Sequence, residues 1–410
     1  MSLRDRLRAW LAVPEAAVPG DQGDVARALY GLSRQVGELR GVMYHQTDYT
    51  VEALRRAGWQ SDEEISQHEA MQRALRAIRG DGDVIAGPWT GEVGFELMYW
   101  IPFLNWLVEQ GLDPKRLVVM SRGGAAPWYR HLTTRYVDIL DVVSADEFRE
   151  RTAGKKKQYD IRRDFDRELV DKAKAAFSIA SATTIHPSAM FRLFTGLWRK
   201  RATVKLVESF TSFRALAPLD SVGAGELPAG LPPNYVAAKF YFSKAFPDTT
   251  SNRTFIIELL RSVSRQVPVA LMSTAVRLDE HSDFQTTAGS GLYVVDAHTA
   301  PHRNLELQSR LICGARGFIG TYGGFSYLAP FYGVRSVSFF SKRYGFEPHH
   351  LELADRVFDR LLPGGFVALH RCASDLVEPA VARWVTSAAR PASADDEDGA
   401  AQTEPERVTT

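Results

Sequence analysis

One short segment of the chain places two carboxylates among glycines. Residues 87–96 read Gly-Pro-Trp-Thr-Gly-Glu-Val-Gly-Phe-Glu, and we call this segment the first glycine loop. Glycines let the backbone approach a ligand closely and adopt positive φ. A carboxylate on such a loop is well placed to act as a general base. We favour Glu92, which lies between glycines, over Glu96 at the helix entry. The alternative is that both glutamates only stabilise the following helix through its dipole.

A second glycine-bearing segment predicts an anion site. Residues 320–326 read Gly-Thr-Tyr-Gly-Gly-Phe-Ser, and we call them the second glycine loop. Gly323 and Gly324 open a predicted helix, where backbone N–H groups and the helix dipole favour an anion such as pyrophosphate. The hydroxyls of Thr321, Tyr322 and Ser326 add donors. Tight strand–helix packing is the alternative, because a glycine pair alone is weak evidence.

Cations and aromatic groups elsewhere complete the predicted site. Lys239 and Lys244 lie at the end of a predicted strand, where a lysine neutralises phosphate as a point charge or is simply solvated. A second group of residues could contact a sugar ring or an anionic acceptor. They lie in the first glycine loop and in a basic helical segment, residues 150–215. These residues are Trp89, Gly91, Gly94, His186 and Arg192. For the basic segment, a solvated face is an equal alternative.

The elements around these residues alternate between apolar strands and helices. Residues 83–143 read as β-α-β-α-β, with the last strand over residues 137–143, which is typical of a parallel sheet wound with helices. Residues 150–215 are helical and basic, and residues 216–234 read as a Pro- and Gly-containing linker. The β/α alternation restarts at 235 and continues to about 385. The pattern predicts an α/β fold with two Rossmann-like domains, 81–215 and 235–385, facing a cleft.

The ends of the chain differ from these domains. Residues 1–80 read as a helical extension, and residues 386–410 as a disordered tail rich in Ala, Ser, Asp, Glu and Thr. Within residues 1–13, apolar side chains share one helical face beside arginines, which indicates either contact with anionic lipid or packing on protein. A second seam indicates packing on the body or a homodimer. The two sets are Leu3, Leu7, Trp10, Leu11 and Leu32, Val36, Leu39, Met43.

Composition excludes several classes of protein. The 410 residues carry a formal net charge of +1, so no global charge favours nucleic acid. Two cysteines form no disulfide framework, and the start lacks the uninterrupted apolar stretch of a signal peptide. No apolar run approaches the ~20 residues that span a bilayer. We therefore expect a soluble cytoplasmic protein, with peripheral contact at the inner membrane face if residues 1–13 bind lipid.

No metal or cofactor is expected. Adjacent His349 and His350 lack a wider set of ligands. The motifs of metalloproteases, P-loop nucleotide triphosphatases and simple esterases do not occur in the sequence.

The first glycine loop, together with residues 311–334, resembles bacterial glycosyltransferases of the GT-B fold, often encoded with surface-polysaccharide functions. The second stretch has a helix, a short strand, a glycine pair and a helix ending in Tyr-Gly-Val. The resemblance covers roughly residues 83–345. It implies an acidic base at Glu92 or Glu96, and a nucleotide sugar held by Lys239, Lys244 and residues 321–324. The second loop departs from the heptosyltransferase pattern, since it reads Thr-Tyr-Gly-Gly rather than Asp-Thr-Gly.

The predicted activity is metal-independent transfer of a sugar from a nucleotide-diphosphate sugar to a hydroxyl of a glycan or lipid-linked glycan. The departing diphosphate would be stabilised by the second glycine loop and the lysines. One alternative is transfer of another group, such as pyruvyl, to a glycan on the same scaffold. The other is a non-catalytic glycan-binding or assembly protein.

Overall fold

The computed structural model describes residues 62–153, 158, 163–220, 230–273, 281–295, 300–342, 348–371 and 381. The predictions for residues 1–13, for the seam of Leu32 to Met43 and for the tail 386–410 lie outside these residues. The contact pattern divides the chain between Ile65 and Ser66, so the described residues other than 62–65 belong to the second unit. None of the helices in the described ranges combines the length and apolar character that a membrane-spanning helix requires.

The first sheet has four parallel strands in the order β3-β2-β1-β4. The strands are β1 Asp83–Ala86, β2 Leu117–Ser121, β3 Tyr136–Asp138 and β4 Ala182–Ile185. All five residues of β2 are buried, as expected for a strand covered on both faces of a parallel sheet. Side chains alternate between the faces of β1, so Val84 and Ala86 join one core while Ile85 joins another.

The second sheet has six parallel strands in the order β12-β11-β10-β5-β7-β9. They are β5 Val236–Lys239, β7 Val269–Met272, β9 Leu292–Val295, β10 Gly317–Thr321, β11 Ser336–Phe340 and β12 Phe366–His370. Two further strands, β6 Tyr241–Phe242 and β8 Ser282–Asp283, form an antiparallel pair. Read from β9 to β12, the sheet has the strand order of a Rossmann domain, with its switch point between β5 and β10.

Helices connect the strands of both sheets. Those before the second sheet are α1 Asp62–Arg79, α2 Val93–Phe95, α3 Ile101–Glu109, α4 Ala126–Tyr129, α5 Ile139–Val142, α6 Ala145–Thr152, α7 Arg163–Ala176, α8 Pro187–Leu193, α9 Thr195–Trp198 and α10 Lys205–Glu208. Those of the second half are α11 Thr250–Ser264, α12 Asn304–Cys313, α13 Gly324–Phe331 and α14 Pro348–Leu361. A π-helical turn, Glu96–Trp100, joins α2 to α3, and 3-10 turns occupy Pro114–Arg116 and Pro301–Arg303.

One hydrophobic core is continuous across both sheets. It contains Val84 of the first sheet and Ala237 of the second, and a separate core covers the other face of each sheet. The shared core explains why the two halves belong to one compact unit. The predicted α/β fold with two Rossmann-like sheets is therefore confirmed, and the exact domain boundaries stay predictions.

Two local predictions were wrong. Residues 137–143 were predicted as one strand, but β3 ends at Asp138 and α5 begins at Ile139. The Asp138 carboxylate accepts hydrogen bonds from the N–H of Leu140 and caps that helix. The segment 150–215 was predicted as helical and basic without a strand, yet it contains β4, which pairs with β1.

Candidate functional site

The two glycine loops meet at the carboxyl ends of the two sheets. The first follows β1, and the second follows β10 at the switch point of its sheet. The two loops approach so closely that a Cβ placed on Gly324 would lie 2.9 Å from both Gly94 N and Val93 Cβ. Only glycine fits here, because any side chain would force the loops apart. The fold thus brings the predicted acidic loop and the predicted anion loop together.

Glu92 lies half-buried at the start of α2. Its backbone is extended, and its side chain makes no capping hydrogen bond to the helix. A role of Glu92 in stabilising α2 through the helix dipole therefore stays an alternative, without a capping hydrogen bond from its side chain. Its role as a base stays a prediction.

Glu96 is fully buried, at the start of the π-helical turn. One of its oxygens, Oε1, accepts hydrogen bonds from Ser121 Oγ and, at 2.6 Å, from Tyr129 OH. Burial raises the pKa of Glu96 from 4.5 to about 7, against the lowering effect of the Arg122 charge and of both hydroxyl donors. Because its carboxylate faces the interior, Glu96 is not a cap exposed at a helix entry.

Arg122 connects Glu96 to the first glycine loop. Its guanidinium is nearly fully buried, with Nη1 3.9 Å from Glu96 Oε2 and Nη2 donating to the carbonyl of Gly91. Sequence reasoning missed Ser121, Arg122 and Tyr129 as members of this group. The available signal was the run Ser-Arg-Gly-Gly at residues 121–124, which follows the end of a strand beside β1.

A second carboxylate orders the turn after β2. Asp138 Oδ1 accepts from Gly123 N at 3.0 Å, and Oδ2 accepts from Gly124 N at 2.7 Å. Burial raises the pKa of Asp138, and these backbone donors partly offset the effect. This turn also contacts the other half of the molecule, because Leu305 N donates to Gly123 O at 2.6 Å.

The polar groups of the second glycine loop are largely committed to the fold. Thr321 Oγ1 accepts from Tyr241 N at 3.0 Å and donates to Tyr241 O at 2.9 Å. Gly323 N donates to Ser326 Oγ at 3.1 Å. Tyr322 is buried, and its carbonyl accepts from Tyr241 OH at 3.3 Å. The hydroxyls of Thr321 and Ser326 therefore shape the loop, and their predicted contact with a donor stays a prediction.

The two candidate lysines have different environments. Lys239 ends β5, is 3% exposed, and binds Asp283 Oδ2 through Nζ at 2.5 Å. The same ammonium lies 5.3 Å from the ring centroid of Phe325, in the first turn of α13. Lys244 is exposed in the loop after β6. Lys239 is therefore the lysine that the fold holds beside the second glycine loop.

The acceptor-side candidates lie mostly inside the protein. Trp89 is fully buried, stacked between Trp100 at 5.9 Å and Phe191 at 6.2 Å between ring centroids. In this conformation its ring faces pack in the core and do not present a surface to a sugar. Gly91 is buried, Gly94 contacts Gly324, and Arg192 is half-buried.

His186 has a structural role at the start of α8. Its Nδ1 accepts from Ser188 N at 3.0 Å, and its Nε2 lies 3.1 Å from Asp166 Oδ2. Both ring nitrogens thus have partners, and His186 itself is 5% exposed. A contact between His186 and an acceptor stays a prediction that this geometry does not favour.

The adjacent histidines belong to an aromatic cluster. His350 Nδ1 lies 2.5 Å from Tyr99 OH, and its ring is 5.7 Å from that of Trp198. This contact links α14 of the second half to the first half. Across the described ranges of the chain, no group of three or more His, Cys, Asp or Glu residues is arranged to hold a metal ion.

Comparison with known proteins gives distant structural similarity only. No family model and no curated protein matches the sequence. The similar solved structures include the E. coli heptosyltransferase WaaC with ADP, at 15% identity and a TM-score of 0.38, covering 75% of this chain and 100% of that one. They also include E. coli ADP-heptose LPS heptosyltransferase II, at 11% identity and a TM-score of 0.38, covering 71% and 90%. A third is the glycosyltransferase SnogD from Streptomyces nogalater, at 10% identity and a TM-score of 0.33, covering 72% and 99%. At these values the similarity assigns no donor or acceptor to this chain.

Proposed function

We propose that this chain is a glycosyltransferase that moves a sugar from a nucleotide-diphosphate sugar to a hydroxyl of a glycan or lipid-linked glycan. One observation carries the proposal. The carboxylate-bearing loop after β1 and the glycine-initiated helix α13 after β10 meet at the facing ends of two parallel sheets. A transferase of this kind needs a base on one side of the sugar and a cationic, N–H-rich surface for the leaving diphosphate on the other.

The donor side of the proposal rests on the second sheet. Its switch point lies between β5 and β10, where ligands bind in open α/β sheets. Lys239 ends one of these strands, and the second glycine loop ends the other. A diphosphate bound there would compete with Asp283 for the Lys239 ammonium, now 2.5 Å from that carboxylate. The helix dipole of α13 would add to the attraction.

The acceptor side of the proposal rests on Glu92. It is half-buried at the N-cap position of α2, its side chain makes no capping hydrogen bond, and it precedes the residues that contact Gly324. In the proposed step, the Glu92 carboxylate takes the proton of the acceptor hydroxyl while the hydroxyl oxygen forms a bond to the anomeric carbon of the donor sugar. The bond from that carbon to the diphosphate oxygen breaks, and the nucleoside diphosphate leaves with the electron pair.

The first test is a ligand screen by thermal shift and calorimetry with UDP, GDP, ADP and their sugars. A ligand that binds only the folded protein raises its melting temperature. At a free ligand concentration of a hundred times Kd, the free energy of unfolding increases by about 2.7 kcal/mol. The proposal expects one diphosphate to bind and its nucleoside alone to bind far more weakly. No effect of any diphosphate, with glycan binding present, would indicate the non-catalytic glycan-binding alternative.

The predicted contact of residues 1–13 with anionic lipid lies outside the described residues. It would place the enzyme at a lipid-linked acceptor, and it stays a prediction. Deleting residues 1–13 should reduce sedimentation with anionic liposomes while nucleotide binding is kept. Equal sedimentation of the full chain and of the chain that lacks residues 1–13 would favour the alternative in which this segment packs on protein.

A further inference from the structure

A buried group of four side chains lies under the first glycine loop. Its centre is Glu96, with no exposed surface, and its other members come from the end of β2 and from α4. Ser121 and Tyr129 both donate to Glu96 Oε1. Oxygen Oε2 has no hydrogen bond within 3.5 Å among the described residues, and Arg122 Nη1 lies 3.9 Å from it. Burying a carboxylate costs free energy, and hydrogen bonds and a nearby opposite charge offset that cost.

Arg122 is the member that reaches the loop. One guanidinium nitrogen faces Glu96 and another donates to the carbonyl oxygen of Gly91. Gly91 directly precedes Glu92, so this bond fixes the backbone from which the proposed base projects. The planar guanidinium suits the task, because it can face two acceptors in a fixed geometry, which an ammonium cannot.

Glu96 does not have the access that a base needs. A general base must come within ~2.6–3.2 Å of the proton that it takes, or reach it through one water. Glu96 is 0% exposed, and Ser121 and Tyr129 already occupy Oε1. Glu92 is half-buried and directly precedes Val93 and Gly94, which lie against Gly324 of the second half. The two glutamates of the loop therefore have separate tasks.

We propose that Glu96 is a positioning residue. Through Arg122 it holds the Gly91 carbonyl and so the backbone that carries Glu92. The catalytic consequence rests on the proposed function, whereas the mechanical consequence does not. The ionised carboxylate keeps the guanidinium in place, and the neutral acid lacks the charge to do so.

The charged and titratable groups that face Glu96 set its protonation. They are Arg122 on the segment after β2, Tyr129 on α4, and Tyr136 and Asp138 on β3. Ser121 contributes a hydroxyl donor. Burial of Glu96 has the largest effect and raises its pKa to about 7. The carboxylate is thus ionised above neutrality and neutral below it, so the hold on Arg122 should weaken on acidification.

Hydrogen exchange of the peptide covering residues 87–95 tests the mechanical part directly. It is measured on the full chain at a fixed pH well above neutrality, where Glu96 is ionised. Glu96→Gln and Arg122→Lys should each raise exchange in this peptide by ~10-fold, the effect of losing about one charged hydrogen bond. Tyr129→Phe removes a donor to the same carboxylate without touching Arg122, so it should change the loop much less. Exchange in β7 and β10, and the melting curves, report whether any variant has lost its fold.

Transfer kinetics then separate positioning from proton abstraction. Glu92→Gln should slow transfer by ~10²–10⁴-fold while the exchange of residues 87–95 stays as in the wild type. Glu96→Gln should lower kcat in parallel with its faster loop exchange. Wild-type kcat should fall on acidification near pH 7 as Glu96 is protonated, and Glu96→Gln should lack this acid limb.

Three outcomes bear on the proposal. Unchanged loop exchange in both Glu96→Gln and Arg122→Lys would overturn it, whatever the activity. Loss of transfer in Glu96→Gln with a loop exchange like that of the wild type would make Glu96 the base and also overturn it. If the wild type transfers no sugar, but Glu96→Gln and Arg122→Lys still show faster loop exchange, the positioning role stands. The glycosyltransferase proposal alone is then rejected.

Discussion

Glu92 and Glu96 show how local environment separates two residues of the same type. Glu96 is buried against Ser121, Arg122 and Tyr129, whereas Glu92 is half-buried at the loop surface. Both were visible in the sequence as candidate bases on one loop. The difference between their environments was not visible in the sequence. The partners of Glu96 come from β2, α4 and the segment between them, which only the folded sheet brings beneath the loop.

The raised pKa of Glu96 predicts an unusual dependence of stability on pH. Between about 4.5 and about 7 the native protein binds a proton at Glu96 that the unfolded chain does not. The free energy of unfolding should therefore fall as pH rises through this window, by on the order of 3 kcal/mol. Glu96→Gln removes this proton, so its stability should lose that slope relative to the wild type. Urea denaturation at a series of pH values measures the difference, and parallel curves for both proteins would contradict the assignment.

Lys239 and Lys244 provide a matched pair of cations. Lys239→Met should weaken binding of the diphosphate found in the ligand screen by ~10-fold or more, since it removes a nearly buried charge beside α13. Lys244→Met, at an exposed position in the loop after β6, should change affinity little. Calorimetry measures both, with melting curves for each variant because Lys239 also pairs with Asp283. Equal losses in the two variants would mean that the donor does not contact Lys239 selectively.

At the scale of elements, the glycine loops could be located from the sequence because each follows an apolar strand and precedes a helix. The two sheets followed from the same alternation. The strand β4 could not be read, because Ala-Thr-Thr-Ile is short and lies within a basic helical stretch. For residues 137–143 the sequence predicted a strand that is longer than the one in the structure. Their apolar β-branched run suits a strand, but the Asp138 side chain ends the strand and starts a helix.

The contact between the loops makes Gly324 the most constrained position of α13. Gly324→Val places carbon atoms where Gly94 and Val93 already lie. Overpacking of this kind typically costs about 1–3 kcal/mol. We expect a lower melting temperature together with weaker diphosphate binding, because the helix start is pushed from its place. Gly289→Ala is the control, since a Cβ there meets nothing within 4 Å. A stable Gly324→Val variant with unchanged diphosphate affinity would remove this loop from the donor site.

At the scale of the whole molecule, the two halves are joined by one core and by specific polar contacts. Trp128 Nε1 donates to Ser309 Oγ at 2.9 Å, and Tyr99 OH meets His350 Nδ1 at 2.5 Å. None of these pairs is close in sequence, so sequence patterns could not predict them. Together with the shared core, they join the halves that carry the two glycine loops.

Removing one of these contacts should loosen α14 specifically. Tyr99→Phe deletes the hydroxyl that meets His350 but keeps the ring that packs against Trp198. We expect a loss of about 1 kcal/mol in stability and faster hydrogen exchange over residues 348–361. Tyr136→Phe is a suitable comparison, since its hydroxyl bonds Asp138 within the first half. Exchange of residues 348–361 that is no faster in Tyr99→Phe than in Tyr136→Phe would show that this bond does not hold α14.

The central claim is that the two loops form one transfer site with Glu92 as its base. The most direct test is turnover of Glu92→Gln beside the wild type, with the nucleotide sugar that binds and a hydroxyl acceptor, following release of the nucleoside diphosphate. We expect Glu92→Gln to fold, to bind the donor with unchanged affinity, and to turn over ~10²–10⁴-fold more slowly. Normal turnover by a folded Glu92→Gln protein would contradict the account.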